Sequence, residues 1–379
     1  MKFFCKLITI IFTVCVVQCR ETVRNPNSVK VNDKIIYDCV DIYKQPSLSH
    51  PLLQNHKIQL KPSFSISKPK DKSKSKIQSN KIIECSDGTV PILKHTNVSV
   101  TNAQHWAKKH FSPLTIDSHG THIAGVRALP YQGPYHGVTA LMSVHDLNIS
   151  VDQASYTNIY VGSGVSDKVN FLQTGWMVNP ALFGDSRTWS YGFWKGVNGT
   201  GCYNTICPGF IQVSRTDPLS IPIPYPRKGD RTIYISILQV YLTYFKNYLS
   251  KDKKSGNWWA IHVNYHAPDL NIGYWPKEVF DLIGTNADMV GVLGVVQASP
   301  SGKSPPMGNG HLPTKHEKES ARIENVEIID SQFKAIGSRK YKLEKLLDSN
   351  KCYGLRARED LPLHDLFTYG GPGGDSCGI

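Results

Sequence analysis

From about Tyr135 onward, the chain consists of short apolar segments that alternate with turn residues. The segments are rich in Val, Ile, Tyr and Trp, and Gly, Pro and Asn separate them. This pattern is typical of β-strands joined by turns. No convincing amphipathic helix of about 12 residues follows any of them, so repeated βαβ units are disfavoured and the sequence predicts an all-β sandwich. The clearest predicted strands are Asn158 to Gly162, Thr232 to Val240, Trp258 to Tyr265 and Val290 to Gln297.

The first 19 residues are typical of a cleaved signal peptide. Lys2 gives a positive start, an apolar run extends from Leu7 to Val17, and Val17-Gln18-Cys19 offers small groups to signal peptidase. The apolar run is too short to span a membrane, and no later stretch approaches the roughly 20 apolar residues that a bilayer requires. We therefore expect a secreted, extracellular protein with no membrane attachment after cleavage.

Six of the nine cysteines remain after signal cleavage, and an even number in an oxidising compartment predicts disulfides. The first two are the only sulfurs of a polar N-terminal region, and the last two would tie a glycine-rich C-terminal tail to the body. The middle two have no second Cys or His pair nearby, so a short disulfide loop is favoured over a metal site. The expected pairs are Cys39 with Cys85, Cys202 with Cys207, and Cys352 with Cys377.

Three Asn-x-Ser/Thr triplets agree with passage through the secretory pathway, because such triplets are acceptors for N-linked glycans. Their asparagines are Asn97, Asn148 and Asn198.

The net charge of +13 does not by itself indicate nucleic-acid binding. Much of the basic excess lies in a Lys- and Ser-rich run between Ser65 and Lys76. Such a run buries too little apolar area to offset the entropy of ordering it, so it predicts a solvated loop. We expect no nucleic-acid partner.

Two short motifs resemble sites of other enzyme classes. The stretch from Ser118 to Gly125 looks like the histidine segment of subtilisin-type serine proteases, and Gly284 to Ala287 echoes their serine segment. Asn286 stands where the nucleophile must be and has no hydroxyl, so a subtilisin-like protease is a minor alternative. His262 and His266 lie in a predicted strand roughly 13 Å apart, too far for one zinc ion. We expect neither a metal nor a cofactor.

Several motifs in a fixed order resemble the neprosin family, secreted plant proteins whose founding enzyme is a glutamic peptidase that cleaves beside proline. The N-terminal segments look like the activation peptide of that family, and the later ones look like its catalytic domain. The first group comprises Asp38 to Pro46, His50 to Leu53 and Gly88 to Ile92. The second comprises Thr200 to Asn204, Gly256 to Trp259, Gly273 to Pro276, Met307 to His311 and Tyr369 to Gly373.

This resemblance implies a zymogen in which an inhibitory N-terminal module precedes the catalytic domain. We expect a signal peptide over residues 1–19, an activation-peptide-like module over 20–111 and a catalytic-like domain over 112–379. The implied fold is an antiparallel β-sandwich of two curved sheets, preceded by the small propeptide-like module.

The resemblance also implies where the catalytic residues should lie. Neprosin-type peptidases are understood to use two glutamates across a concave sheet, one deprotonating a water and the other protonating or polarising the substrate. Here Gln173 stands in the Glu-x-Gly-Trp segment, and Val295 stands at the end of the Gly-Gly-Glu segment. A positioned acid or base is typically worth about 10² to 10⁴ in rate. We therefore expect a catalytically silent member that retains peptide or partner binding.

An active peptidase with a rebuilt acid/base pair is the alternative. Asp288 lies seven residues before Val295, an odd offset that puts it on the opposite face of a regular strand unless a bulge intervenes. Glu278 lies in a segment that predicts a loop or a helix.

Large aromatic side chains are candidates for a substrate groove, although each can equally pack in the core. An aromatic face would dock extended proline-containing peptides, or a segment of an extracellular protein, at a low cost in conformational entropy. We expect the chain to act as a monomer. The candidate groove residues are Trp176, Trp194, Trp258, Trp259, Tyr274 and Trp275.

Overall fold

The computed structural model describes residues 28–64, 83–110, 120–165, 168–223, 244–262, 269–316, 319–357, 366–375 and 377. Antiparallel strands dominate these residues, and they form a β-sandwich behind a small N-terminal module. The all-β fold expected from the sequence is confirmed. The residues of the expected signal peptide, the Lys- and Ser-rich run and the predicted strand from Thr232 to Val240 lie outside the described residues.

The first sheet of the sandwich has seven strands, each antiparallel to its neighbours. In spatial order they are β17 (Leu343–Leu347), β4 (Thr121–Ala128), β14 (Met289–Gln297), β6 (Ala154–Val165), β7 (Lys168–Val178), β8 (Trp189–Lys195) and β9 (Gly201–Tyr203).

The second sheet has nine strands, and β16 pairs only with β15 at its margin. In spatial order the others are β10 (Ile211–Gln212), β13 (Leu270–Trp275), β12 (Trp258–His262), β11 (Tyr244–Lys251), β5 (Gly137–Ser143), β15 (Ala321–Ile329), β19 (Leu366–Gly370) and β18 (Gly354–Ala357). The marginal strand β16 is Ala335–Gly337.

The main hydrophobic core lies between the two sheets. Val292 of β14 and Leu172 of β7 contribute from the first sheet, and Val138 of β5 and Leu249 of β11 contribute from the second. All four side chains are fully buried, which removes their apolar surface from water on both sides of the sandwich. The face of the seven-stranded sheet that points away from this core is called the outer face below.

The N-terminal module consists of a three-stranded sheet and a helix. The strands are β1 (Ser28–Asn32), β2 (Ile35–Asp41) and β3 (Thr89–Leu93), and the helix α1 is Asn97–Lys109. The helix begins at Thr96, whose side-chain oxygen accepts a hydrogen bond from Ser99 N at 3.2 Å. A short helix α2, Pro180–Phe183, lies beside α1 on the body.

The module contacts the body at the edge and the surface of the second sheet. The side-chain amide of Gln45 donates to Gln212 O and accepts from Gln212 N, so it continues the hydrogen bonding of edge strand β10. Tyr274 Oη receives the backbone N–H of Gln59 at 2.9 Å, and His56 Nε2 lies 2.8 Å from the same oxygen. These polar contacts add to apolar packing, because Leu53 of the module is buried in the main core of the body.

All three expected disulfides are present. Their Cα–Cα distances are 5.5 Å for Cys39–Cys85, 6.1 Å for Cys202–Cys207 and 5.5 Å for Cys352–Cys377. No helix within the described ranges is long and apolar enough to cross a membrane.

Candidate functional site

Gln173 and Val295 both lie on the outer face of the seven-stranded sheet. Gln173 of β7 is directly opposite Tyr160 of β6, and Val295 of β14 is directly opposite Tyr156 of the same strand. Directly opposed residues of antiparallel strands project to the same face. The two family positions therefore share a face and flank β6, with an offset of four residues along it.

The row of residues that contains Gln173 crosses the whole sheet. It passes through Glu344, Arg127, Gly291, Tyr160, Gln173, Phe193 and Tyr203.

Neither family position carries a carboxylate, and both are completely buried. Val295 belongs to an apolar cluster on the outer face that also contains Leu293, Tyr156 and Met177. Its isopropyl group has no atom that can donate, accept or move a proton. On this face Val295 therefore contributes only apolar packing, and Gln173 contributes only uncharged hydrogen-bonding groups.

The imidazole of His110 occupies the space over Gln173. His110 follows the last residue of α1, and its Nε2 lies 2.5 Å from Gln173 Oε1 while its Nδ1 lies 2.6 Å from Tyr203 Oη. The ring stacks on Phe193 at a centroid distance of 4.0 Å and on Tyr156 at 5.2 Å. The N-terminal module thus covers Gln173, where the resemblance places a catalytic glutamate, with one of its own side chains.

Burial lowers the pKa of His110 to about 3. The hydrogen bond to Gln173 acts in the opposite direction and is the smaller effect. The imidazole is therefore neutral near physiological pH while the helix is in place. With His110 in place Gln173 is completely buried, so its amide oxygen is not exposed to solvent water.

A charged pair lies at the far end of the Gln173 row. Arg127 Nε donates to Glu344 Oε2 at 2.6 Å, and both side chains are partly exposed. Between this pair and Gln173 stands Tyr160, whose ring leans over Gly291 so closely that a Cβ at Gly291 would lie 2.5 Å from Tyr160 Cε1. Sequence reasoning missed Glu344, because nothing in the local motif marks it as part of this face.

The two carboxylates considered from the sequence lie elsewhere. Asp288 is exposed and immediately precedes β14. Glu278 lies in a turn beside His56, with 3.5 Å between Glu278 Oε2 and His56 Nδ1. In the subtilisin-like stretch, His122 is a β4 residue whose Nδ1 lies 2.7 Å from Asp348 Oδ2. No group of three metal-binding side chains occurs among the residues that the structure describes.

The structure does not bring the six candidate groove aromatics together with Gln173. Trp176 lies three residues after Gln173, so alternation turns it inward, where its Nε1 donates to Ser143 O of the second sheet at 2.9 Å. Trp194 follows Phe193 and is turned inward for the same reason.

The remaining four belong to the second sheet. Trp258 and Trp275 are paired in register, and the Trp275 ring lies against Gly192 of β8 inside the sandwich. Trp259 and Tyr274 are also paired, and both contact Gln59 of the N-terminal module. All six are buried, which is the packing role that large aromatic side chains most often take.

The aromatic residues that do line the outer face are different ones, namely Tyr156, Tyr160, Phe171, Tyr191, Phe193 and Tyr203. Their alternate spacing on β6, β7 and β8 would have identified them once one residue of the face was fixed. His110 carried no comparable signal, because a single histidine after a weak helix matches no motif.

Two family models match this chain. The family model described as Neprosin matches residues 151–372, and the model described as Neprosin activation peptide matches residues 28–121. Among solved structures, scytalido-glutamic peptidase with a peptide-based transition state analogue matches with 8% identity, a TM-score of 0.35, and coverage of 66% of this chain and 97% of that chain. SCP-B, a member of the Eqolisin family of peptidases in complex with a tripeptide, matches with 7% identity, a TM-score of 0.33 and the same 66% and 97% coverage. Because the Neprosin model alone matches more than half of the residues, the chain belongs to the neprosin family.

Proposed function

We propose that this chain is a secreted, catalytically silent neprosin whose outer face binds a polypeptide segment. The observation that carries the proposal is the pair of buried, uncharged side chains, Gln173 and Val295, at the two family positions. Neither side chain titrates, so the site has no group that takes a proton from water and returns it to a leaving amine. What remains on the face is packing surface and neutral hydrogen-bonding groups.

Polypeptide binding is supported by the protein's own helix on this face. Ala103, Trp106 and His110 are buried against the aromatic side chains of the outer face. Asn102 Nδ2 also donates to Ala181 O on the body at 2.8 Å. A face that accepts one segment in this way offers the same surface to another when the module leaves.

Secretion is supported by several independent features. The first 19 residues have the pattern of a signal peptide, and the three disulfides fit an oxidising compartment. Two of the three glycan acceptors, Asn148 and Asn198, are exposed.

The rebuilt-site alternative meets a geometric difficulty. Glu344 shares a row with Gln173 but lies four strands away, which is about 19 Å at a strand spacing of about 4.8 Å. One water molecule cannot contact both side chains over that distance. Asp288 and Glu278 are not on this face, so none of the three is placed to replace a missing glutamate beside Gln173.

A peptidase assay on proline-containing peptides tests the proposal. The natural chain, V295E, and the double variant Q173E/V295E are purified, treated with acid to loosen the module, and assayed in parallel. We expect no cleavage by the natural chain and weak cleavage beside proline by the double variant. Two nearby carboxylates repel each other, which raises one pKa and separates an acid from a base.

Two outcomes would count against the proposal. Robust cleavage by the natural chain, abolished by D288N or E344Q, would establish a rebuilt active site. Shortening of the purified natural chain at acidic pH, at a rate independent of its concentration, would show that it cuts itself.

A further inference from the structure

Six side chains enclose the imidazole of His110 in what we call the aromatic slot, defined as Tyr156, Phe171, Gln173, Tyr191, Phe193 and Tyr203. Three of the rings, on Phe193, Tyr156 and Phe171, are within 28° of parallel to the imidazole, and Tyr203 meets it edge-on at 88°. His110 itself is 8% exposed. The slot is therefore shaped for a flat ring and closed to water on its long sides.

The two polar groups of the slot specify which flat ring fits. Gln173 Oε1 only accepts hydrogen bonds, so the nitrogen 2.5 Å away from it must carry a proton. The other nitrogen is then unprotonated in the neutral ring and accepts the O–H of Tyr203 at 2.6 Å. One donor and one acceptor on opposite sides of a five-membered ring is the pattern of neutral imidazole in its Nε2–H tautomer.

We propose that the aromatic slot is a recognition site for neutral imidazole, so that when His110 withdraws the outer face captures a histidine side chain of another polypeptide. This inference rests on the proposed peptide-binding function and names the residue type that anchors the peptide. A phenylalanine or proline ring would fill the space but would supply neither the N–H that Gln173 Oε1 accepts nor the acceptor nitrogen to which Tyr203 Oη donates. The loss of such buried hydrogen bonds discriminates strongly against these analogues.

The same slot excludes the charged form of the ring. Among the described residues, the titratable side chains whose rings lie against His110 are Tyr156, Tyr191 and Tyr203, and burial raises the pKa of the last two well above its ordinary value. The hydroxyls of Tyr191 and Tyr203 therefore do not become anions that would stabilise an imidazolium. Binding of histidine should therefore weaken about tenfold for each pH unit below the pKa of the free side chain, about 6.5.

The test uses the full chain with His110→Ala, which opens the slot, and imidazole as the probe. We expect imidazole to bind and to raise the melting temperature of this variant at neutral pH. N-methylimidazole lacks the N–H donor and pyrrole lacks the acceptor nitrogen, so each should bind at least tenfold more weakly. His105→Ala is the matched control, since His105 is exposed on the same helix and its removal opens no slot.

A short peptide with a central histidine should compete with imidazole for the opened slot, and the same peptide with phenylalanine should not. Equal binding of imidazole, pyrrole and N-methylimidazole would overturn the proposal, because it would show a merely apolar cavity. If imidazole binds but the histidine peptide does not compete with it, the proposal that the slot captures a histidine of another polypeptide is overturned.

If His110→Ala does not fold, nitrogen NMR of the natural chain decides the hydrogen-bond pattern. We expect His110 to stay neutral and protonated at Nε2 down to about pH 5, and titration near the usual 6.5 would overturn the proposal. These measurements do not depend on peptidase activity. Cleavage by the natural chain would refute the proposed lack of peptidase activity without affecting imidazole binding. Failure of imidazole to bind would leave the proposed lack of activity standing.

Discussion

Position 294 on β14 has no room for a side chain. A Cβ at Gly294 would lie 2.5 Å from Cε2 of Tyr369, which packs there from the second sheet. The Tyr369 hydroxyl is also held by Thr157 of β6, with 2.6 Å between the two oxygens. The aromatic residue that begins the C-terminal glycine-rich motif thus fixes the strand segment that carries Val295.

Gly294→Ala should therefore destabilise the protein by about 1 to 3 kcal/mol, the usual cost of overpacking a well-packed core. The measurement is denaturant unfolding followed by tryptophan fluorescence. Gly337→Ala is the control, because a Cβ there meets nothing within 4 Å and the backbone has a negative φ of −54°. Equal stability of the two variants would show that Tyr369 shifts without cost.

At the scale of elements, helix α1 couples the N-terminal module to the outer face. Its residues Ala103 and Trp106 are buried against the sheet, as is His110 directly after the helix, while Gln104 and His105 are exposed. Trp106 is 5% exposed and is the largest apolar contribution of the helix to this contact. The position of His110 over Gln173 therefore depends on the packing of the helix.

Trp106→Ala should loosen α1 from the sheet, at a cost of about 3 to 5 kcal/mol for removal of a large buried aromatic side chain. Hydrogen exchange should become faster in the amides of α1 and remain unchanged in β7 and β14. Gln104→Ala should leave hydrogen exchange in α1 unchanged and should alter the stability by no more than about 0.5 kcal/mol, because that side chain is exposed. Unchanged exchange in Trp106→Ala would mean that other contacts hold the helix.

The sequence predicts strands whose apolar residues recur at regular spacing. It does not predict elements or contacts that depend on a single tertiary interaction. The strands around Asn158 and Val290 were evident from their apolar residues, and they are the central strands of the first sheet. Helix α1 was not evident, because Asn97, Val98 and Thr101 weaken helix propensity and packing on the sheet compensates for it.

The site was predicted in the same uneven way. Gln173 and Val295 were located through ordered motifs, and the structure puts them on one face. The inward turn of Trp176 and Trp194 follows from alternation along β7 and β8, which requires the register of the strands. The contact between His110 and Gln173 joins residues 63 positions apart and leaves no local trace in the sequence.

At the scale of the whole molecule, acid weakens the interface between the module and the body. Burial lowers the pKa of His110 to about 3 and also lowers that of His56, so each binds a proton more readily when released. Burial opposes ionisation of Asp252, but hydrogen bonds from Ser63, Ser255 and Gln59 outweigh it and lower the pKa of this carboxyl. All three groups bind protons more weakly in the folded state, so the interface is most stable near neutral pH and loses stability as the pH falls.

Lowering the pH from about 6.5 to 4.5 should raise the open population of the module about 50-fold through His110 alone, since half of the released imidazole is already protonated at pH 6.5 and the gain approaches tenfold per unit below it. Hydrogen exchange of α1 amides measures this opening. His110→Leu, which fills the slot without titrating, should show a shallower pH dependence. An opening equilibrium that does not change with pH in the natural chain would contradict the assignment of a neutral, buried His110.

The three disulfides also determine how many covalent paths join the two parts of the molecule. Cys39–Cys85 closes a ring inside the module, and the other two bonds close rings inside the body. No disulfide among the described residues joins the module to the body, so the backbone alone connects these two parts. A cut inside the ring closed by Cys39 and Cys85 leaves the module attached, whereas a cut between the module and the body turns their intramolecular contact into a bimolecular one that dilution alone can dissociate.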